Sequence, residues 1–334
     1  MKRISFILFL LLSLCVRAYD IKVDDIHYNL NYEQHLATVC GCGGWVSGIS
    51  IPESIEAYGQ TFAVTAIADS AFMKNGFLQG VDIAPSVTYI GKCAFRDCNR
   101  LATIPIPASV TFIGEMAFRG CTAISEFVVD EKCPAYTSYE GVLYDKRMKT
   151  LLNCPISKWG EFHVPETVVT IAPYACYKCS KFGMVVIPNS VKTIGEHAFD
   201  QNTSLTDLHM GTSVEYIGDN AFDNNKNLKN VFIQSPVPPK AFDHTFDYNW
   251  VEYCKLHVMS SAVSAYKKAK PWSWFDSIVA LTDREIEMSI DIPEEVLAAE
   301  KASYSLNGIK LRQKTAGIRI VQRADGSTRK ILTK

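Results

Sequence analysis

Cysteine and histidine are the residue types in this chain whose spacing admits chemistry. Cys176 and Cys179 stand as C-x-x-C, the spacing of a redox pair or of half a metal site, and Cys40-Gly41-Cys42-Gly43-Gly44 places two thiols in a glycine-rich stretch. His163, His209 and His257 recur at the same position of a repeating pattern. Zinc chemistry would need their nitrogens within about 2.1 Å of one ion, whereas the pattern interposes Val186 and Phe232 between them, putting the rings about 10 Å apart. No H-E-x-x-H, no G-x-S-x-G and no phosphate-cradling glycine loop occurs, and no histidine is placed by pattern beside Cys40. An enzyme is therefore not expected, nor a metal or cofactor.

The elements that must position these residues are copies of one unit. Six stretches of 23 residues begin at Val64, Val87, Val110, Val168, Val191 and Val214. Counting slots from that Val, slot 4 is always Ile (67, 90, 113, 171, 194, 217) and slot 8 always Ala (71, 94, 117, 175, 198, 221). Slot 9 is Phe except at Cys176, so the C-x-x-C cysteines occupy ordinary packing positions. Each unit ends in an apolar-x-apolar pair such as Val185 and Ile187, the alternation of a short strand with one buried face. A fixed period of this size predicts a solenoid in which each apolar slot packs on its copy in the next turn, since one unit alone buries too little to fold.

Slot 12 holds Asn75, Cys98, Cys121, Cys179, Asn202 and Asn225. Asn and Cys share a short side chain that donates a hydrogen bond, so the column reads as a structural ladder at a turn. The competing reading is a Cys98–Cys121 disulfide, because stacked turns bring such Cα atoms about 5 Å apart. Between the paired strand apolars lies an outward column: Ser50, Asp82, Pro105, Val128, His163, Val186, His209, Phe232 and His257. Apolar Val128, Val186 and Phe232, with His209, make this column the candidate binding face. The alternative is that the protein's own loops cover it.

In chain order, Lys2 and Arg3 precede an apolar run from Ile4 to Cys15 and then Val16-Arg17-Ala18, the pattern of a signal peptide over 1–18; Cys15 leaves lipidation as an alternative to cleavage after Ala18. Residues 19–63 read as a hairpin-bearing N-terminal cap that ends in a first partial strand at Ile49–Ile51. The repeats run over 64–236, interrupted by 35 extra residues at about 133–167 that combine a degenerate seventh unit with a hairpin projecting from the stack around DKRM. A C-terminal cap spans 237–281, with a last strand at Leu256–Val258, a short helix N-capped by Ser260 or Ser261, and Trp272, Trp274 and Phe275 over the final turn. The expected ladder has nine strands. An acidic linker over 282–303 leads to a basic tail, 304–334, built of two hairpins around Asn307-Gly308 and Asp325-Gly326. A net charge of -1 gives nucleic acid no electrostatic foothold on the chain as a whole.

The run V-x-x-I-G-x-x-A-F-x-x-C/N-x-x-L-x-x-I-x-I-P resembles the BspA-like leucine-rich repeats of bacterial surface proteins, over about residues 20–281. The segments YEGVLYDKRMKTLL and KLHVMSSAVSAYKKAKPW are similar to that family's inserted hairpin and closing cap. The tail resembles, through its second hairpin and terminal lysine, the sorting domains of the Bacteroidetes type IX secretion route. The resemblance implies a β-rich solenoid with little helix and a secreted or cell-surface, non-catalytic protein. It also implies a partner among host extracellular-matrix or bacterial surface proteins, with a glycan as the alternative, and outer-membrane attachment through the tail.

Overall fold

The computed structural model describes residues 19–282, Glu285, and the strand segments 302–305, 310–311, 317–322 and 328–333. The expected signal peptide, Cys15 and most of the expected linker lie outside the described residues. The chain divides after Thr282 into two compact units. The first is a β-solenoid of about 11 turns of roughly 23 residues with little helix, two more than the nine expected.

Strands β1 (Ile21–Val23), β2 (Ile26–Asn31) and β3 (Leu36–Cys42) form an antiparallel meander at the start. β4 (Gly48–Ile51), β5 (Ser54–Ala57) and β6 (Gln60–Ile67) follow. β5 and β6 make a hairpin, and β3 lies parallel to β6, so the last cap strand is also the first rung of the stack. Alternation along β3 buries Ala37 and Val39 under the first unit.

Two parallel ladders run along the stack rather than one. β7 (Gly80–Ile83) pairs with β4 at the strand end of the unit, while β8 (Tyr89–Ile90) and β9 (Phe112–Ile113) extend β6 at slots 3 and 4. The strand-end ladder then thins to single bridges, Gly80 to Thr103 and Ile106 to Val129. Pro105 and Pro107 flank Ile106 and supply no N–H to a neighbour.

Between the ladders the chain turns through slots 6 to 12. The N–H groups of slots 7, 9 and 11 donate to the carbonyls of slots 6, 8 and 10 one turn later: Cys93 to Glu115, Phe95 to Ala117 and Asp97 to Arg119 at 2.7–3.0 Å, and likewise His197 to Asp219, Phe199 to Ala221 and Gln201 to Asp223. This path holds slots 7 and 11 in the left-handed region, for example Cys93 at φ 55° and Asp97 at φ 59°. The slot-9 rings stack at centroid distances of 5.1 Å (Phe72 on Phe95) and 5.4 Å (Phe199 on Phe222).

The insertion is part of the stack and does not project from it. β10 (Tyr136–Tyr139), β11 (Val142–Asp145) and β12 (Thr150–Asn153) form a meander whose last strand starts the second slot-4 ladder. The first ladder ends where the Tyr136 hydroxyl accepts the Ile113 N–H at 2.7 Å. Alternation on β11 sends Leu143 into the N-terminal core and Val142 and Tyr144 into the C-terminal one, so a single strand serves as the wall between two cores. Apolar side chains on both faces of β11 explain why the hairpin stays inside. Cys154 takes the Ala175 carbonyl through its N–H, and Arg119 bridges the seam by lying over the rings of Tyr174 (4.3 Å) and Tyr177 (4.4 Å).

Beyond the seam, β13 (Gly160–His163), β14 (Thr170–Ile171), β15 (Phe182–Ile187), β16 (Thr193–Ile194), β17 (Asp207–Met210), β18 (Tyr216–Ile217), β19 (Asn230–Ile233), β20 (Lys255–Val258) and β21 (Ser277–Ala280) complete both ladders. β21 pairs in parallel with β20, so the strand at 256–258 is not the last. Helix in the cap is limited to single turns, Tyr248–Val251 and Val263–Tyr266. Neither Ser260 nor Ser261 caps the second, which has Ala262 at its N-cap and no side-chain cap bond. The cap instead hangs on two polar tips: Trp272 Nε1 donates to Pro239 O at 2.9 Å and the Tyr266 hydroxyl to Ser235 O at 3.1 Å. The second unit is an antiparallel sheet in which β22 (Ala302–Ser305) pairs with β23 (Lys310–Leu311) and β24 (Gly317–Gln322), and β24 with β25 (Thr328–Thr333).

Slot 5 shows how closely the turns approach. A Cβ on Gly91, Gly114, Gly195 or Gly218 would sit 2.4 Å from a backbone nitrogen of the preceding turn. Ala68 and Ala172 replace Gly where the preceding turn is the cap or the insertion, whose strands hold them through Val39 O and Leu151 O. Gly195→Ala is expected to cost about 1–3 kcal/mol in urea unfolding, the range of overpacking, and Ala172→Gly only about 0.5–1 kcal/mol.

Candidate binding surfaces

Slot 12 lies at the end of the bend, where its side chain reaches the slot-9 carbonyl of the preceding turn; at Phe72 and Phe95 that carbonyl already takes the slot-12 N–H of its own turn, so the thiol is a second donor. Cys98 Sγ donates to Phe72 O at 2.9 Å and Cys121 Sγ to Phe95 O at 3.0 Å. Asn225 Nδ2 donates to Phe199 O at 3.1 Å and to Phe222 O at 3.0 Å, and its Oδ1 accepts the Asn202 N–H at 2.8 Å. Asn202 is buried in the same slot, without a side-chain hydrogen bond among the described residues. At the ends the partners change. Asn75 reaches Cys42 Sγ at 3.2 Å and accepts the Phe77 and Leu78 N–H groups, while Cys179 Sγ points to Cys154 O at 3.7 Å. The ten described cysteines are free thiols, so Cys98 and Cys121 each bond a separate carbonyl rather than each other.

Burial governs the thiol chemistry. It pushes Cys98 up to about 12 from an ordinary 9.0, drives Cys121 further in the same direction, and holds Cys176 and Cys179 well above the ordinary value. Among the described residues no three His, Cys, Asp or Glu side chains converge on a metal-sized point. The C-x-x-C pair sits fully inside the C-terminal core. Cys40 and Cys42 are half-buried, and burial raises both.

The outward column is not one face. Ser50, Asp82, Pro105 and Val128 are exposed, Val128 to 55%, whereas His163 and Val186 are half-buried. Read from the alternation as outward, His209 (5% exposed) and Phe232 (9%) are buried in the structure, and so is His257. Rung-on-rung register explains it: His209 faces Phe232 and Phe232 faces His257 in the ladder, and the flat rings close over one another at 4.3 and 4.4 Å. Phe232 separates the two imidazoles. Of the four residues named for binding, Val128 alone is well exposed.

Exposed rings lie elsewhere, and two pairs of them stand on the N-terminal half. Tyr89 (38%) stacks on Phe112 (47%) at 4.8 Å in slot 3 of consecutive turns, and Trp45 (84%) meets Phe77 at 4.6 Å. Nothing in a repeat consensus marks these pairs, since slot 3 varies. Its outward direction on a rung between buried slots is the signal by which they could have been found.

A family model described as the BspA type leucine rich repeat region matches residues 48–140 and 149–261 in six copies. The chain belongs to this family. The break between the two matched stretches falls within the β10–β12 insertion, where the BspA-type ladder changes cores. Solved structures similar to this BspA-type chain include a leucine rich cell surface protein from Faecalibacterium prausnitzii (19% identity, covering 81% of this chain and 97% of that one, TM-score 0.43). Others are a leucine-rich repeat protein from Bacteroides ovatus (20%, 79% and 77%, 0.48) and the pneumococcal vaccine antigen PcpA (17%, 79% and 99%, 0.45). No curated protein matches the chain.

Asn225→Ala removes the partner of two carbonyls and one N–H and is expected to cost roughly 2–4 kcal/mol in urea unfolding, against about 1 kcal/mol for Cys121→Ala. The raised thiols add a pH dependence. A native value above the unfolded one means that the neutral thiol's stabilisation is complete below about pH 9 and is lost as pH rises toward 12. The urea midpoint should therefore fall above about pH 9, and less steeply in Cys98→Asn/Cys121→Asn, which carries the side chain that other turns use.

Proposed function

We propose that this protein is a secreted or cell-surface module that acts by binding another protein and has no catalytic activity. The observation that carries the reading is the Tyr89–Phe112 pair. Thr170 and Thr193 occupy the same slot and satisfy the same ladder, so two exposed, stacked rings add nothing the turn requires. Exposed, flat aromatic area is the composition of an interaction surface. The partner class is a host extracellular-matrix protein or another bacterial surface protein, which accords with family membership and with the leader at Lys2 to Ala18. The basic tail is read as a sorting tag that directs the protein to the outer-membrane surface and is removed on attachment there. Among the described residues no helix is long and apolar enough to cross a membrane.

A second reading, glycan capture, is favoured by the exposure of Trp45 and of Trp159 (80%), rings large enough to support a sugar. An array of matrix proteins, bacterial surface proteins and polysaccharides probed with the mature chain separates the two. Tyr89→Ala/Phe112→Ala should lower affinity for the captured protein about tenfold or more without moving the unfolding midpoint. Unchanged affinity in that variant and in Val128→Glu removes the proposed face. Retention on polysaccharide alone, lost in Trp159→Ala, would instead establish the glycan reading. Mass spectrometry of the surface-bound protein tests the tail, which should be missing from Lys334 inward.

A further inference from the structure

The outer loops of the last two turns carry side chains that the fold does not use. Lys226 and Lys229 of the final unit, with Trp250, Tyr253 and Lys255 of the cap, line an open groove of ≈ 550 Å³. That volume lies in the range of small-molecule and oligosaccharide sites, whereas the cavities at the seam, ≈ 10 and ≈ 80 Å³, hold a few waters at most.

The repeat itself shows what these positions need. One turn earlier Lys226, Asn227 and Lys229 are Thr203, Ser204 and Thr206, and Lys255 holds the rung position of Asn230. The contact between turns is made by backbone: Lys229 N–H donates to Thr206 O and Lys255 N–H to Lys229 O, both at 2.8 Å. The lysine side chains therefore add nothing to stacking; Lys255 pairs in register with Asn230, the neighbour of Lys229, and both lysines line the one groove, where like charges repel. None of the three lysines forms an ion pair among the described residues. The lining holds three lysines and no acidic residue, and the nearby carboxylates are engaged by neutral groups, Asp207 by Asn230 and Glu252 by Tyr253, which is the pattern of an anion site.

The rest of the groove is fixed and partly flat. Asn227 Nδ2 donates to Thr203 O at 2.7 Å and Asn230 Nδ2 to Asp207 Oδ1 at 2.8 Å, which hold the floor. The helical turn Tyr248–Val251 and the buried Cys254 anchor the loop that presents Trp250 and Tyr253. Both rings are exposed, and the Glu252 carboxylate engages the Tyr253 hydroxyl.

We infer that this groove binds an anionic oligosaccharide, with sugar-ring faces against Trp250 and Tyr253 and sulfate or carboxylate groups on Lys226, Lys229 and Lys255. An acidic peptide would answer the lysines but offers no apolar ring face to the two aromatic rims. The inference goes beyond the protein-binding reading, which rests on the N-terminal half.

Calorimetric titration of the full chain with a heparin-derived sulfated octasaccharide, its desulfated form, and poly-glutamate tests the inference. Binding of the sulfated sugar that weakens as salt rises is expected, with about a tenfold loss in Lys229→Gln/Lys255→Gln and a comparable loss in Tyr253→Ala. All these positions are exposed, and an unchanged urea midpoint confirms that the variants fold. The inference is overturned by equal binding of the desulfated sugar, by equal or tighter binding of poly-glutamate, by no binding at all, or by full affinity in both variants. Retained affinity of these variants for a captured protein partner keeps the outcome separate from the N-terminal face.

Discussion

Three hydrogen bonds between consecutive turns, from the N–H groups of slots 7, 9 and 11 to the carbonyls of slots 6, 8 and 10, set most of what else is seen in this solenoid. Forming them on every turn bends the backbone into the left-handed region at two slots, costs of order 1 kcal/mol at each non-glycine residue there, and recovers it through a continuous ladder. The approach they impose leaves no room for a Cβ at slot 5 between repeat units. It also brings the slot-9 rings face to face and sets the slot-9 carbonyl within reach of the slot-12 side chain of the next turn. Cysteine and asparagine interchange there because both deliver a donor to that one point.

The same constraint explains what could be read from the sequence. Columns that serve the stacking repeat, so Ile, Ala, Phe and the Cys/Asn slot disclosed the solenoid. Left-handed slots 7 and 11 stayed hidden because they hold Cys93, His197, Asp97 and Gln201, with glycine only at Gly120, and no composition betrays them. Alternation also failed where neighbours matter more than direction. His209 and Phe232, placed outward by period, are buried where flat rings stack on adjacent rungs, while Val128 stays exposed. The insertion misled for a related reason: Val142, Leu143 and Tyr144 look like one hairpin strand until a second core is there to receive every other side chain.

Fixed slots explain folding, and variable slots hold whatever the protein recognises. The stack offers two such regions of unlike chemistry. Aromatic pairs and Val128 mark the N-terminal half, and a cationic groove rimmed by rings marks the C-terminal end. Their separation follows from the way a solenoid is built, since a residue contacts its own turn and the next, and each region varies without disturbing the other.

The strand that faces two cores has a mechanical meaning. Elsewhere between repeat units, neighbouring turns share an apolar column and three bend bonds; at β11 the columns stop, and Arg119 crosses the seam to lie over Tyr174 and Tyr177. A protein tethered at one end and gripped by a partner at the other carries load along its stacking direction, and that load reaches its weakest layer at the seam. Parting there would expose one face of β11 while both halves kept their shape, so the molecule would lengthen under tension in two steps, seen as two separate rips in single-molecule stretching. A single rip would show that the seam bears load as well as any other layer.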